Sequence, residues 1–295
     1  MIGTAGVVAL IAIIVQVVTH DPGERVAGCP PYPAMPDASC TGWQHTGVTL
    51  SAYTGPRTIT TPGTVIDGKD IVGDLSIQAS NVKITRSRVR GHITTGYGEN
   101  TGILIQDVEV NPGNVNGSRS AIGNSGFTCL RCHVYNAGQG FNITSNVTIR
   151  DSYVHDLFGQ GDSHNEPIVS NGGGPFTIVH NELFANFNSA TTGGGMSASL
   201  ALYGDFSPIR DVLVQNNRFN LANKGSYCVY AGSVPGKKYP TASNTRLVGN
   251  RFGGTQPQCG QYGPVSSYSS ANGNAWTGNV WDEDGAAMDP QDGSG

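Results

Sequence analysis

The clearest feature of the chain is an eight-residue pattern of apolar and polar positions that returns along most of its length. In each copy the first, third and eighth positions are mostly apolar, and the sixth is mostly small or polar. The copies are Val82 to Val89, Ile103 to Val110, Phe127 to Val134, Val147 to Val154, Phe176 to Leu183, Val212 to Phe219, Thr245 to Phe252 and, more loosely, Asn274 to Trp281. A period of two is the side-chain period of a strand, so each copy predicts two short strands that meet at the sixth position.

The sixth positions form a column of small and polar residues when the copies are aligned. The column reads Ser87, Val108, Cys132, Ser152, Asn181, Asn217, Asn250 and Asn279. Asparagine tolerates left-handed backbone, and its amide can hydrogen-bond to the same amide in the next copy. We therefore expect a ladder in which Asn181, Asn217 and Asn250 are stacked.

No single copy can bury its apolar face alone, whereas stacked copies bury a continuous core. Successive sixth positions are 20 to 36 residues apart, which fits coils that carry loops of varying length. Another short apolar segment precedes each pair of strands, as at Phe141 to Ile143 and Cys228 to Tyr230. The pattern predicts an all-β right-handed parallel β-helix of about eight coils, each with three strands.

The asparagine column resembles the asparagine ladder of right-handed parallel β-helices of the pectin-lyase-like superfamily. The resemblance covers roughly Asp74 to Trp281 and implies the fold without implying an activity. The segment Pro36-Asp-Ala-Ser39, together with Gly47-Val-Thr-Leu50 and Thr61-Pro-Gly-Thr-Val-Ile-Asp-Gly68, resembles secreted β-helix proteins of actinobacteria. This second resemblance implies export from the cell.

The order of segments predicts one folded domain with two accessory ends. Residues 1–20 are expected to be a signal peptide or membrane anchor, since Ile2 to Val18 is largely apolar. Residues 21–73 are expected to be a linker and an N-terminal cap, 74–284 the parallel β-helix, and 285–295 a flexible tail. We expect an extracellular monomer that meets a membrane only through its N-terminal segment.

Composition and cysteine usage agree with an exported β-rich protein. The 295 residues include 42 glycines and only 13% charged residues, and the net charge of −4 argues against nucleic-acid binding. Six cysteines suit an oxidising compartment. We expect bridges between Cys29 and Cys40 and between Cys228 and Cys259, whereas the pair Cys129 and Cys132 predicts core packing or a local bridge.

The segment from His155 to Glu166 is chemically the densest part of the chain. It supplies the catalytic candidates His155, Asp162, His164 and Glu166, whose side chains are suited to acid and base work. Asp156, Asp162 and Glu166 also predict a site for a hard cation such as Ca²⁺, because carboxylate oxygens are its preferred ligands. Loops from Tyr203 to Arg210 and from Val234 to Tyr239 are expected to wall a groove that binds a polysaccharide through Tyr203, Asp205, Arg210, Lys237 and Lys238.

These candidates predict an extracellular lyase or epimerase that acts on an acidic polysaccharide. Such an enzyme needs a group that neutralises the sugar carboxylate, a base for the C5 proton and an acid for the leaving oxygen. The run Asp162-Ser-His164-Asn-Glu166 resembles the Asp-Pro-His-Glu motif of alginate C5-epimerases, which implies roles for Asp162 and His164. Motifs of pectate lyases and polygalacturonases are absent. A hydrolase that pairs Asp162 with Glu166, and a non-catalytic carbohydrate-binding or cell-surface solenoid, remain alternatives.

Some of the remaining polar residues also have purely structural interpretations. His155 and Asp156 can simply end a strand, and His180 occupies the fifth position of its copy, where an exposed turn residue is expected. The seventh column should face solvent because both of its neighbours point inward. That column reads Arg88, Glu109, His133, Tyr153, Glu182, Arg218 and Arg251.

Overall fold

The computed structural model describes residues 28–221, 225–254 and 259–290, and these form a parallel β-helix. Three long sheets run along the stack, and each coil contributes one strand to each sheet. The expected signal peptide or anchor at 1–20 and residues 291–295 of the expected tail lie outside the described residues. The expected all-β parallel solenoid is thus confirmed.

The strands of the three sheets are short, and every strand pairs in parallel with its equivalents in neighbouring coils. The first sheet contains Ser51–Ala52, Lys69–Val72, Arg88–Arg90, Glu109–Val110, His133–Val134, Tyr153–Val154, Glu182–Ala185, Arg218–Leu221, Arg251–Gly254 and Val280–Trp281. The second sheet contains Thr58–Ile59, Leu75–Ile77, Ile93–Thr94, Ser120–Ser125, Gln139–Ser145, Ile168–Ser170, Leu200–Leu202, Val229–Ala231 and Val265–Ser266. The third sheet contains Val65–Asp67, Lys83–Thr85, Ile103–Gln106, Phe127–Leu130, Val147–Arg150, Phe176–Val179, Arg210–Gln215, Ser243–Val248 and Ala275–Thr277.

Two smaller elements complete the described structure. The strand His164–Asn165 pairs in parallel with Gly195–Met196 outside the three sheets. A single turn of 3₁₀ helix spans Gln44–Thr46.

The core fills the inside of the coils because alternate residues of each strand point inward. Ile105, Cys129 and Ile149 occupy one register in three successive coils, and all are fully buried. Their neighbours Thr128 and Thr148 remain partly exposed. Stacking therefore turns a period of two along each strand into continuous apolar columns along the helix axis.

The expected asparagine ladder is present and fully hydrogen-bonded. The Asn181 amide donates to Asn217 Oδ1 at 2.8 Å, Asn217 donates to Asn250 Oδ1 at 3.0 Å, and Asn250 donates to Asn279 Oδ1 at 2.9 Å. Ser152 continues the ladder, since its backbone N–H donates to Asn181 Oδ1 at 2.9 Å. These buried amides are satisfied by one another, so the stack fixes the register of successive coils.

The left-handed backbone expected at the ladder position lies one residue earlier. Arg131, Asp151 and His180 occupy the fifth position of their copies, and their φ angles are 51°, 51° and 54°. The ladder residues Asn181 and Asn217 are not among the residues with positive φ. The bend is therefore made by the residue before the ladder, and the asparagine is selected by its amide hydrogen bonds.

The stack begins earlier than residue 74. Ser51–Ala52, Thr58–Ile59 and Val65–Asp67 already belong to the first, second and third sheets. The second and third sheets each contain nine strands, so the described helix has nine coils, close to the expected number of about eight. The earlier boundary reflects weak patterning in this segment, where Val65 is 62% exposed and both residues of the strand Ser51–Ala52 are exposed.

Residues 28–47, which we call the strap, lie against the side of the helix rather than forming a cap continuous with residues 48–73. Gly42 N–H donates to the Arg131 carbonyl at 2.9 Å, and the Ala34 carbonyl lies 2.8 Å from His180 Nε2. His45 Nε2 lies 3.0 Å from Asp107 Oδ1. The strap therefore crosses the coils that contain Asp107, Arg131 and His180.

Coverage by the strap corrects the expectation that the seventh column faces solvent. Glu109, His133 and Glu182 are buried, and so is His180, which was expected at an exposed turn. Trp43 Nε1 donates to a carboxylate oxygen of Glu109 at 3.0 Å. These residues point outward from their coils as expected, but another segment of the chain packs over them.

All six cysteines are paired. The bridges join Cys29 with Cys40, Cys129 with Cys132 and Cys228 with Cys259. The first and third bridges were expected. For Cys129 and Cys132 the sequence predicted core packing or a local bridge, and the structure has the local bridge, within one coil. The bridge between Cys228 and Cys259 joins neighbouring coils and closes a loop of 31 residues.

The end of the described chain folds back onto the last coil. Ala287 forms an antiparallel bridge with Val280, and Trp276 Nε1 donates to the Met288 carbonyl at 2.8 Å. Met288 itself is buried. Residues 285–290 are therefore packed against the helix, contrary to the expected flexible tail.

No helix in the part of the chain that the structure describes has the length and hydropathy of a membrane span.

Candidate functional site

A surface groove lies on the outer face of the second sheet and encloses about 580 Å³. Its lining includes His164, Glu166, Tyr203, Asp205, Tyr230 and Lys237. Five of these six residues were candidates from the sequence. The fold therefore brings together two of the candidate catalytic residues, His164 and Glu166, and three of the expected substrate-binding residues.

The floor of the groove is made by outward-facing residues of the second sheet. Val169, Ala201 and Tyr230 occupy one register in three successive coils, next to the inward-facing residues that fill the core. The side chains of Val169 and Ala201 are small and buried, and the rings of Tyr203 and Tyr230 pack against them. Their ring centroids are 5.1 Å apart. A groove with an aromatic side thus follows from small and large residues on one sheet face.

The loop that carries His164 and Glu166 is anchored by the buried residue between them. Asn165 donates its side-chain amide to the carbonyls of Gly117 at 2.8 Å and Gly138 at 2.5 Å. Alternation along this short strand turns Asn165 inward and leaves His164 exposed at the edge of the groove. The anchor therefore fixes the position of both flanking residues.

Glu166 is a buried carboxyl group without a cationic partner among the described residues. Only 2% of the residue is exposed, and Gln139 Nε2 donates to Oε2 at 3.2 Å. Burial raises the pKa of Glu166 to about 7, although hydrogen bonds from Ser197 and Gln139 act in the opposite direction. Near neutral pH this carboxyl can both donate and accept a proton, which suits a general acid or base.

Tyr203, Asp205 and Lys237 form a connected group on one side of the groove. The Lys237 ammonium lies 2.9 Å from Asp205 Oδ1 and 4.7 Å from the centre of the Tyr203 ring. Burial raises the pKa of Tyr203, and the nearby Glu166 carboxylate acts in the same direction. The phenol of Tyr203 is therefore held in its protonated form.

The two loops that were expected to wall the groove are joined to each other. Tyr239 N–H donates to the Gly204 carbonyl at 2.8 Å, which ties the second loop to the first. Arg210 and Lys238 belong to these loops but do not line the groove. Arg210 lies beside Asp211, and the Lys238 ammonium lies 5.3 Å from the centre of the Tyr239 ring.

His155 and Asp156 lie at the first sheet and do not line the groove. His155 Nδ1 is 2.8 Å from an Asp156 carboxylate oxygen, and its Nε2 is 2.8 Å from His133 Nε2. Burial lowers the pKa of His133 to about 4, and the neighbouring His155 adds to the effect. These two histidines form a mainly neutral, stacked network with Tyr153 on a different face from Glu166.

The residues proposed for Ca²⁺ do not come together. Asp156 belongs to the network at the first sheet, Asp162 is exposed, and Glu166 is buried at the groove. Within residues 28–221, 225–254 and 259–290, no three His, Cys, Asp or Glu side chains converge as they would around a metal ion. The described donor set therefore does not fit a calcium site.

Gln139, Ser197 and Tyr230 are groove residues that sequence reasoning missed. For Tyr230 a signal existed: Ile168, Leu200 and Val229 are the apolar positions of their strands, so the following residues face outward. Gln139 and Ser197 had no such signal, because Gln139 is the first residue of its strand, Ser197 precedes the strand Leu200–Leu202, and both reach Glu166 only after the coils stack. The alternation of side chains along strands can predict the residues in the floor of such a groove, but it cannot predict the residues at its ends.

No protein-family model, no curated protein and no solved structure matches this chain.

Proposed function

We propose that the groove binds a polysaccharide and that His164, Glu166 and Tyr203 catalyse a lyase or epimerase reaction on an acidic sugar. The observation that carries the proposal is the position of Glu166. A carboxyl group that is buried beside a surface groove, with no described cation to compensate it, costs free energy of folding, and groups with pKa values perturbed in this way are concentrated at functional sites. Its neighbours supply the remaining groups that the reaction requires.

Each step of the proposed reaction has a side chain in the groove. Protonated Glu166 donates a hydrogen bond to the sugar carboxylate and so withdraws charge from it. His164, which is exposed at the edge of the groove, removes the C5 proton as general base. In a lyase the released electron pair forms the C4–C5 double bond, the C4–O bond breaks, and Tyr203 gives its phenolic proton to the leaving oxygen. In an epimerase the C4–O bond stays intact, and Tyr203 gives its phenolic proton to C5 from the opposite face.

The same proposal places the chain outside the cell, within the pectin-lyase-like superfamily. Three disulfides support an oxidising compartment. The asparagine ladder and the three parallel sheets support the superfamily, although shared fold does not transfer an activity. The reaction is therefore argued from the groove alone.

The test is incubation with pectate, alginate and glycosaminoglycans, with and without Ca²⁺, while the absorbance of unsaturated uronate is followed. Epimerisation, which is silent in that assay, is followed by proton exchange at C5 in deuterated water. Glu166→Ala, which removes the hydrogen-bond donor, and His164→Ala are each expected to lower turnover about a hundredfold or more. Asp162→Asn is the matched control, because Asp162 belongs to the same loop but does not line the groove. Full activity of both groove variants would refute the assigned roles.

A non-catalytic carbohydrate-binding solenoid is the second candidate. The observation that favours it is the packing of Tyr203 and Tyr230 along the groove, because aromatic rings bind sugars without any reaction. Polysaccharide binding without unsaturated product and without C5 exchange would select this candidate.

A further inference from the structure

Four tyrosine rings form a continuous series that begins inside the groove and extends beyond it. Successive ring centroids are 5.1 Å apart from Tyr203 to Tyr230, 5.2 Å from Tyr230 to Tyr227, and 5.9 Å from Tyr227 to Tyr262. We call these residues the tyrosine row. Tyr262, at the outer end, is 56% exposed.

The outer end of the row is held by the backbone. Tyr262 N–H donates to the Ser226 carbonyl at 3.0 Å, and the adjacent bridge between Cys228 and Cys259 joins the two segments that carry Tyr227 and Tyr262. A tyrosine side chain has few rotatable bonds, so a ring on a fixed backbone loses little entropy when a ligand covers it. The row therefore has the properties of a preformed binding surface.

The charges in the groove limit the kind of chain that the row can accept. Lys237 is the one lysine or arginine among the described residues that line the groove, and Asp205 already compensates it at 2.9 Å. Asn171 and Ser226, which also line the groove, offer uncharged hydrogen-bonding groups. A polysaccharide with a carboxylate on every sugar would place negative charges close to Asp205, and no unpaired lysine or arginine among the described groove residues would offset the repulsion.

We infer that the tyrosine row binds uncharged sugar units of a mixed polysaccharide whose acidic sugar reaches Glu166. The inference rests on the proposed function, which supplies the class of ligand, and it adds the sugar composition of the polysaccharide. Uncharged sugars stack on Tyr227 and Tyr262, while the single acidic sugar lies where Glu166, His164 and Tyr203 converge. The preferred substrate then alternates acidic and uncharged units.

The test compares binding of three kinds of chain by titration calorimetry. The probes are hyaluronan fragments, in which acidic and uncharged sugars alternate, oligogalacturonates, in which every sugar is acidic, and uncharged cello-oligosaccharides. The parent protein is expected to bind the alternating fragments most tightly. Tyr262→Ala should weaken that binding about tenfold, whereas Tyr262→Phe, which keeps the ring, should bind as the parent does. Tyr97→Ala controls for loss of an exposed ring elsewhere, since Tyr97 is 71% exposed and does not line the groove.

Failure of this inference can be distinguished from failure of the proposed reaction. Tightest binding to oligogalacturonates, or equal binding by Tyr262→Ala and the parent, would overturn the role of the row even if the parent releases unsaturated product. Tight binding of the alternating fragments without any reaction would leave the row in place and remove the lyase or epimerase. Absence of binding to all three chains would overturn both.

Discussion

Glu166→Gln is expected to change how the stability of the fold depends on pH. Burial raises the pKa of this carboxyl from 4.5 to about 7 in the folded chain. Below pH 4.5 the Glu166 carboxyl is protonated in both the folded and the unfolded chain. As the pH rises from 4.5 towards 7, the unfolded chain releases the proton first, so the free energy of unfolding of the parent falls through this window.

The size of the effect follows from the two pKa values. A difference of one pKa unit corresponds to about 1.36 kcal/mol, so ionisation of Glu166 lowers the free energy of unfolding by about 3 kcal/mol above neutral pH. Glutamine cannot ionise. The free energy of unfolding of Glu166→Gln, measured relative to that of the parent, should therefore be about 3 kcal/mol larger at about pH 8 than at about pH 4.

Equilibrium unfolding in urea at both pH values, with the disulfides intact, measures this change. Glu182 also has a pKa raised to about 7 by burial, but it is present in both proteins and cancels in the comparison. Asp162→Asn removes an exposed carboxyl and controls for the change in net charge. A difference between Glu166→Gln and the parent that is the same at both pH values would show that the carboxyl is hydrated, and the argument for its catalytic protonation would fail.

Three other changes test the forces that hold the coils together. Asn217→Ala should lower the free energy of unfolding by about 2 to 4 kcal/mol, because it leaves buried ladder groups without partners, and denaturant unfolding measures the loss. Replacing both Cys228 and Cys259 by serine should cost about 4 kcal/mol from the entropy of a 31-residue loop, a value to be checked by thermal unfolding against the oxidised parent. Trp43→Phe should cost about 1.5 to 3 kcal/mol, because Glu109 loses a buried donor, and an unchanged urea midpoint would show that the strap does not protect this carboxylate.

The coil register could be predicted from sequence because it depends on local alternation. Asn181, Asn217 and Asn250 repeat at the same place in each copy, and their stacking follows from the pattern alone. The register of the residues that precede the first clear copy was harder to predict, since Val65 is exposed and the alternation of apolar and polar residues is weak there. A periodic signal is reliable only where one face of each strand is buried.

The strap and the ends of the groove could not be predicted, because both depend on contacts between distant parts of the chain. Nothing near Glu109 or His133 in the sequence indicates that Trp43 and its neighbours will cover them. In the same way, Gln139 is 27 residues from Glu166 along the chain, and it contacts the carboxylate only because of the coil lengths between them. Candidate residues could be named by chemical type, but their grouping required the stacked coils.

The strap has a consequence for the order in which the chain folds. Its Ala34 carbonyl meets His180, 146 residues later in the chain, whereas each coil contacts only its neighbours. A chain that emerges from the ribosome can add coils one after another, but the strap has no complete surface to bind until the coil of His180 exists. The segment that is synthesised before all the coils must therefore dock after most of them, and until then water reaches Glu109 and His133. In pulsed hydrogen exchange, the amides of the strap should become protected after those of the strands beneath it.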